Sequence, residues 1–270
     1  MRKSIHFVYK FLSNLIQTIN SIWYKLDKID DVLPKFSQNG YKIQWRQKIL
    51  PSFTNFQNNS TTSLSLRKWF YDLLSQEIDF EIETELRQRV TDLEDSKYLD
   101  IYPGVYYKIL CVMLASLRPN LSIEIGTLRG TGTTCISHYS KKTLTFDILP
   151  VSFFTGIDSF SDNKSITQIL SDIADDREYS KYEDLFCTAD FIFLDGPKDG
   201  KFEKKVIQKI IQSMKSSCVL LIDDIGFNNM SELWHEISFD KLDFTSFGHW
   251  SGSGLVVKDA ELLLKKVNQI

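Results

Sequence analysis

The feature that most limits the fold is a set of short apolar runs, several of which stop at an acid. Leu121–Ile125 alternates Leu121, Ile123 and Ile125 and breaks into glycines at Gly126, Gly130 and Gly132. Thr143–Phe146 ends in Asp147, Ile166–Leu170 ends near Asp172, Phe191–Leu194 ends in Asp195, and Cys218–Ile222 ends in Asp223-Asp224. Each run is strand-sized, and helical patterns separate them, as over Val206–Met214 and Met230–Ile237. Buried strands alternating with helices make a mostly parallel sheet covered on both faces. Leu242–Phe247 and Leu255–Lys258 then read as an antiparallel closing pair, bringing the expected strands to seven. No internal repeat interrupts the pattern.

In such a sheet ligands sit at the carboxyl ends of the strands, so the acids should converge on the glycine turn. Glycines there let backbone approach a ligand closely, and the following helix start offers free N–H groups. A nucleotide-like ligand is expected over Gly126, Thr127, Gly130 and Gly132, with Glu124 beside the cleft. Asp147 lies about 20 residues past Gly126, the usual distance for an acid that grips ribose hydroxyls. Its bland alternative is a helix cap or loop aspartate. Asp172 is a weaker candidate for the adenine end, since Asp175 and Asp176 lie close by.

Composition narrows the partners. With 43% hydrophobic and 25% charged residues, 270 residues suffice for one large globular domain, with or without an extension. A formal net charge of −3 argues against a nucleic-acid-binding surface. Cys111, Cys135, Cys187 and Cys218 form no metal-ligand spacing and read as reduced core thiols, which fits a cytoplasmic protein.

The N-terminal part is organised differently. Apolar residues from Phe7 to Leu26 recur at helical spacing, giving an amphipathic helix of about seven turns. Ser13, Asn14, Gln17, Thr18 and Asn20 make it too polar to span a bilayer, and no cleavage site follows. Residues 1–30 are read as packing on the main domain or dimerising with a second copy. The sharper alternative is weak contact with a membrane surface through Lys3, Lys10, Lys25 and Lys28. Residues 31–63 read as linker, with Pro34, Gly40, Pro51 and an Asn/Ser/Thr-rich run. Helical pattern resumes over Leu64–Leu93, and Val105–Leu117 forms an apolar helix leading into the first strand. The division expected is a helical extension over 1–100 and an α/β domain over 101–270.

The glycine spacing G-x-x-x-G-x-G, with Glu124 two residues ahead, departs from the nicotinamide fingerprint G-x-G-x-x-G. It resembles the cofactor loop of class I S-adenosylmethionine-dependent methyltransferases. Farther on, Ala189–Gly200 and Val219–Ile225 are similar to the metal-dependent O-methyltransferases of the catechol and caffeoyl-coenzyme A types. The resemblance spans roughly residues 105–260. It implies a Rossmann-like methyltransferase fold, S-adenosyl-L-methionine as methyl donor and a small hydroxylated molecule as acceptor. It also implies Mg²⁺ or another divalent cation on Asp195, Asp223 and Asp224, with Lys198 as general base.

Two departures stand out. Asp224 occupies a position where those families usually carry Asn. The segment Gly248–Gly254 holds no acid to bind the second hydroxyl of a catechol. That segment contains His249, a rival base to Lys198, and Trp250, which suits stacking on a ring or capping the core. A metal-independent methyltransferase using His249, and a binding or scaffold protein without turnover, are the alternatives. The bland reading of Lys198 is a solvated surface lysine.

Overall fold

The computed structural model describes residues 63–75, 106–156, 160, 163–245 and 251–269, all within one compact unit, Gln57–Ile270. The expected N-terminal amphipathic helix, the linker up to residue 62, and His249 and Trp250 lie outside the described residues.

Seven strands form one sheet in the order β3-β2-β1-β4-β5-β7-β6. They are β1 (Leu121–Ile125), β2 (Lys142–Asp147), β3 (Ile166–Leu170), β4 (Phe191–Leu194), β5 (Val219–Asp223), β6 (Asp240–Asp243) and β7 (Ser253–Val257). β1 to β5 are mutually parallel, whereas β7 is antiparallel to both β5 and β6. The seven-stranded, mostly parallel sheet follows from the apolar runs. β1, β3 and β4 begin and end where those runs do. β6 starts earlier than expected, because Asp240 and Lys241 pair with Val257 and Val256 and extend the ladder backwards.

Alternation along the strands separates two faces. Ile123, Ile125, Leu144, Phe146, Ile192, Leu194, Leu220 and Ile222 point into one core. Covering them are α5 (Asp176–Ser180), α6 (Glu183–Thr188), α7 (Lys201–Ser213) and α8 (Met230–Glu236), through Tyr179, Phe186, Val206, Ile210 and Trp234. Each fully buried side chain of this size contributes about 1.5–3 kcal/mol. α5 and α6 escape the sequence pattern because they are too short to show a helical period.

The opposite face is more polar. Ser122 and Glu124 of β1 and Thr143 and Thr145 of β2 are buried there. The helix α3 (Thr131–Tyr139) lies over them, and Ser122 Oγ hydrogen-bonds Ser140 Oγ at 2.7 Å. α2 (Tyr106–Leu117), with Leu110, Met113 and Leu114 buried, packs beside α3. α1 (Leu64–Ser75) packs on α2, on β6 and on the last helix, α9 (Ala260–Val267). Residues 64–75 are thus packed against the sheet and its neighbouring helices. Phe70 meets Phe244 at 5.2 Å, and the Ser63 N–H donates to Asp240. The remaining helix is the single turn α4 (Val151–Thr155) after β2. Among the described residues no helix is long and apolar enough to cross a membrane.

Candidate active site

From β1 the chain proceeds to β2 and β3 on one side, and from β4 to β5 on the other. The crevice at such a reversal, past the carboxyl ends of β1 and β4, is where open α/β sheets take ligands. Register puts Ile125 level with Phe146 and Leu194, and Leu194 level with Ile222. The residues just beyond these four therefore share one edge of the sheet.

Gly126 is the first of them. Its N–H donates to Phe146 O at 2.8 Å, and its φ of +102° is one that side chains resist. A Cβ there would lie 2.7 Å from the Asp195 carbonyl carbon and closer still to the oxygen. The glycine thus lets the β1 turn close against the end of β4. Gly130 caps α3 at φ +84°, where a Cβ would meet the Phe160 ring at 2.6 Å. Gly132 lies inside α3, and its missing side chain leaves room for the Glu124 carboxylate.

Glu124 does not open on the cleft. It is 1% exposed, and its Oε2 accepts hydrogen bonds from Thr133 and, at 2.6 Å, from Thr145. Burial raises its pKa to about 8, against the lowering effect of the two hydroxyls. Thr127 is buried as well, its hydroxyl 2.6 Å from that of Thr145. Asp147 ties the turn down from the side: Oδ2 accepts the Thr127 and Leu128 N–H groups at 3.0 Å each, and Oδ1 accepts that of Leu149. Asp172 stands apart, exposed beyond the edge strand β3, with its carboxylate on the Ala174 N–H of its own turn.

The other three acids meet. Ligand oxygens of Asp195, Asp223 and Asp224 all lie within 4.8 Å of one another. Among them stands the Lys198 ammonium, 2.6 Å from Asp195 Oδ1, 3.2 Å from Asp223 Oδ2 and 3.1 Å from Asp224 Oδ2. Burial alone would lower the lysine pKa, but Asp195, Asp223 and Asp224 together hold it well above the ordinary lysine range. Asp195 moves the other way from a normal carboxyl: burial and the two neighbouring acids raise it to about 7, against the pull of Lys198.

The backbone at this edge is strained. Five described non-glycine residues have positive φ, and three of them, Leu128 (45°), Lys198 (64°) and Asp224 (56°), belong to the loops just described. Each such residue costs about 1–3 kcal/mol, which the surroundings must offset. At Lys198 the offset comes from Glu203, a fully buried glutamate in the first turn of α7. Its carboxylate accepts the Lys198 N–H at 2.7 Å and the Gly200 N–H at 2.9 Å. Sequence reasoning passed over Glu203, although glycine followed three residues later by Glu is half of a capping-box signature. Tyr106 and Tyr107, at the start of α2, were missed too. Burial, then the carboxylates of the cluster, raise the Tyr106 hydroxyl well above its usual range.

The cysteines are free, with Cys111, Cys135 and Cys218 buried. No protein-family model matches the chain, and no curated protein matches it by sequence. Several solved structures are similar to it in part. A methyltransferase of Podospora anserina bound to SAH is 15% identical over 72% of this chain and 94% of its own, with a TM-score of 0.48. A putative caffeoyl-CoA O-methyltransferase of Staphylococcus aureus is 13% identical over 79% and 99%, with a TM-score of 0.46. A methyltransferase of Geobacter sulfurreducens is 12% identical over 73% and 98%, with a TM-score of 0.45.

Proposed function

We propose that the chain is an S-adenosylmethionine-dependent methyltransferase that methylates a hydroxyl group of a small molecule. The observation that carries this reading is the Lys198 ammonium among three strand-end carboxylates, on the same sheet edge as the glycine turn of β1. A sheet edge of that kind would set a donor site and an acceptor site side by side. The motif resemblance supplies the identity of the donor.

In this reading Gly126, Gly130 and Gly132 let the donor lie close to backbone, with the α3 N-terminus beneath it. Asp147 carries the turn and presents its carboxylate to the ribose, and Asp195 borders the sulfonium. Glu124 and Thr127 support the turn from underneath, so their part is indirect. Asp172, exposed at the edge, is left for the adenine end.

Methyl transfer is an in-line displacement: the acceptor oxygen bonds to the methyl carbon as the carbon–sulfur bond breaks, and the thioether leaves. The hydroxyl proton must go to a base. Lys198 is the proposed base: protonated among the carboxylates in this structure, it would take the hydroxyl proton only after giving up its own, which a dication bound to the same acids would favour by opposing the ammonium. Three carboxylates are a hard oxygen donor set and suit Mg²⁺. Asp195, Asp223 and Asp224 would hold such an ion, which when bound lowers the acceptor hydroxyl's pKa. A second reading is favoured by the lysine itself. With an ammonium already among the acids, methyl transfer without metal and with His249 as base is the alternative. A cytoplasmic location, a small-molecule acceptor rather than nucleic acid, and dimer or membrane-surface contact through residues 1–30 belong to the same proposal.

Calorimetric titration with S-adenosylmethionine and with NAD tests the core of it. Heat from the first and none from the second is expected, and the absence of binding to S-adenosylmethionine ends the reading. Labelled donor with a panel of phenols, sugars and polyketide alcohols then identifies the acceptor, and parallel assays with EDTA separate the two mechanisms.

A further inference from the structure

We infer that Lys198 is a built-in cation, latched by Glu203, which competes with divalent metal for Asp195, Asp223 and Asp224. The reasoning starts from occupancy. The ammonium bonds or ion-pairs with one oxygen of each acid, at 2.6, 3.2 and 3.1 Å. A dication bonded to the same oxygens would share that position. An ammonium and a dication cannot stand together there, because like charges a few ångströms apart in a partly buried site repel strongly. One must leave before the other enters.

The chain is built to keep the lysine in. Its side chain is only 12% exposed, although lysine tips ordinarily reach for water. Its backbone holds a left-handed conformation, φ 64°, and from there its ammonium reaches the strand-end acids. Glu203 fixes that conformation by accepting the N–H groups of Lys198 and Gly200 on its two oxygens, in full burial. Asp199 secures the same loop from the helix side, accepting the Lys201 and Phe202 N–H groups at 2.8 Å each. Gly196 completes the latch, since a Cβ there would lie 2.9 Å from Glu203 Oε1. Glu203 is therefore a positioning residue. It bonds the backbone of the loop, and through it sets where the ammonium stands.

The consequence is a metal affinity that is low in the native chain and rises when the lysine is removed or unlatched. Titration of the full chain with Mn²⁺ alone, read by the EPR signal of the free ion, measures it directly. Lys198→Met should bind Mn²⁺ at least tenfold more tightly than the native chain, with Lys198→Gln as a second variant should the first fail to fold. Adding Asp223→Asn to either variant should remove the gain, which locates the ion at the cluster. Glu203→Gln keeps the shape but can accept only one of the two N–H groups, so its affinity should fall between native and Lys198→Met. Equal Mn²⁺ affinity in the native chain and both lysine variants overturns the competition. Native affinity in Glu203→Gln overturns the latch. The inference goes beyond the methyltransferase reading and stands apart from it, because the measurement contains neither methyl donor nor acceptor.

Discussion

Strand β4 carries an aspartate at each end, and the two are opposites. Asp190, just before Phe191, is one carboxylate between two ammonium groups, Lys215 and Lys266, both at 2.5 Å. It also accepts the Asn120 N–H at 2.8 Å, so it joins the starts of β1 and β4 to α9. Asp195, just after Leu194, is one of three carboxylates around the Lys198 ammonium. Burial opposes ionisation of Asp190, yet the two lysines hold its pKa at about 2, whereas Asp195 is raised to about 7. The first cluster has surplus positive charge and is satisfied by the fold. The second sets three carboxylates close together, an arrangement that favours holding protons or cations. One end of the strand holds the molecule together, and the other keeps a charge demand that a reaction can use.

The largest test of this contrast is Lys198→Ala. Turnover should fall about 10²- to 10⁴-fold, the usual worth of a positioned acid or base, while donor affinity stays within about twofold. Steady-state kinetics beside calorimetry separate the two. Unchanged turnover would hand the base role to His249.

Asp190→Asn should do the reverse. Removing one member of a buried ion cluster costs about 2–3 kcal/mol, at the low end of such losses, because Lys215 and Lys266 can turn back toward solvent. Activity per folded molecule should not change. Denaturant unfolding measures the first and an active-site titration the second. The sign of the pH effect follows from the depressed pKa. The Asp190 contribution is complete above about pH 4, the unfolded carboxyl value, and is lost as pH falls through about 2. In Asp190→Asn that acid limb should shrink.

Asp195→Asn gives a smaller stability change of opposite sign. It removes one of three mutually repelling acids and leaves Lys198 with Asp223 and Asp224. Stability at neutral pH should hold or rise by about 1 kcal/mol while turnover falls, the trade-off expected where charge is kept for function. A loss of stability matching that of Asp190→Asn would erase the distinction between the ends.

The same contrast explains what could be read from sequence. Strands ending in acids were visible, because apolar runs and strand-end aspartates are local patterns. Convergence of Asp195, Asp223 and Asp224 also followed, since parallel strands share an edge. Which acids face the crevice did not. Glu124 and Thr127 looked like cleft residues until the second face of β1 and β2 proved polar and buried beneath α3. Where Asp172 would stand was hidden for a different reason: β3 is the edge strand, and strand order is not written in a single sequence. Glu203 acts from a neighbouring helix, so only tertiary packing brings it to the site.

The smallest expected signal is a slope rather than a step, and it comes from Glu124, which belongs to neither end. Its environment consists of burial, two threonine hydroxyls and two other acids, Asp195 and Asp147. With a folded pKa of about 8, it is protonated in the native chain where the unfolded chain, near pH 4.3, has already ionised. Between those values the native state binds more protons, so stability falls as pH rises and levels off above about 8. The slope from one such group is at most about 1.4 kcal/mol per pH unit. Glu124→Gln, neutral at every pH, should flatten this region when denaturation midpoints are compared from pH 5 to 8. It should leave the Asp190 acid limb intact. A variant with the native slope would mean that Glu124 is ionised beneath the glycine turn, and that the turn rests on a charge rather than on a neutral hydrogen-bonded acid.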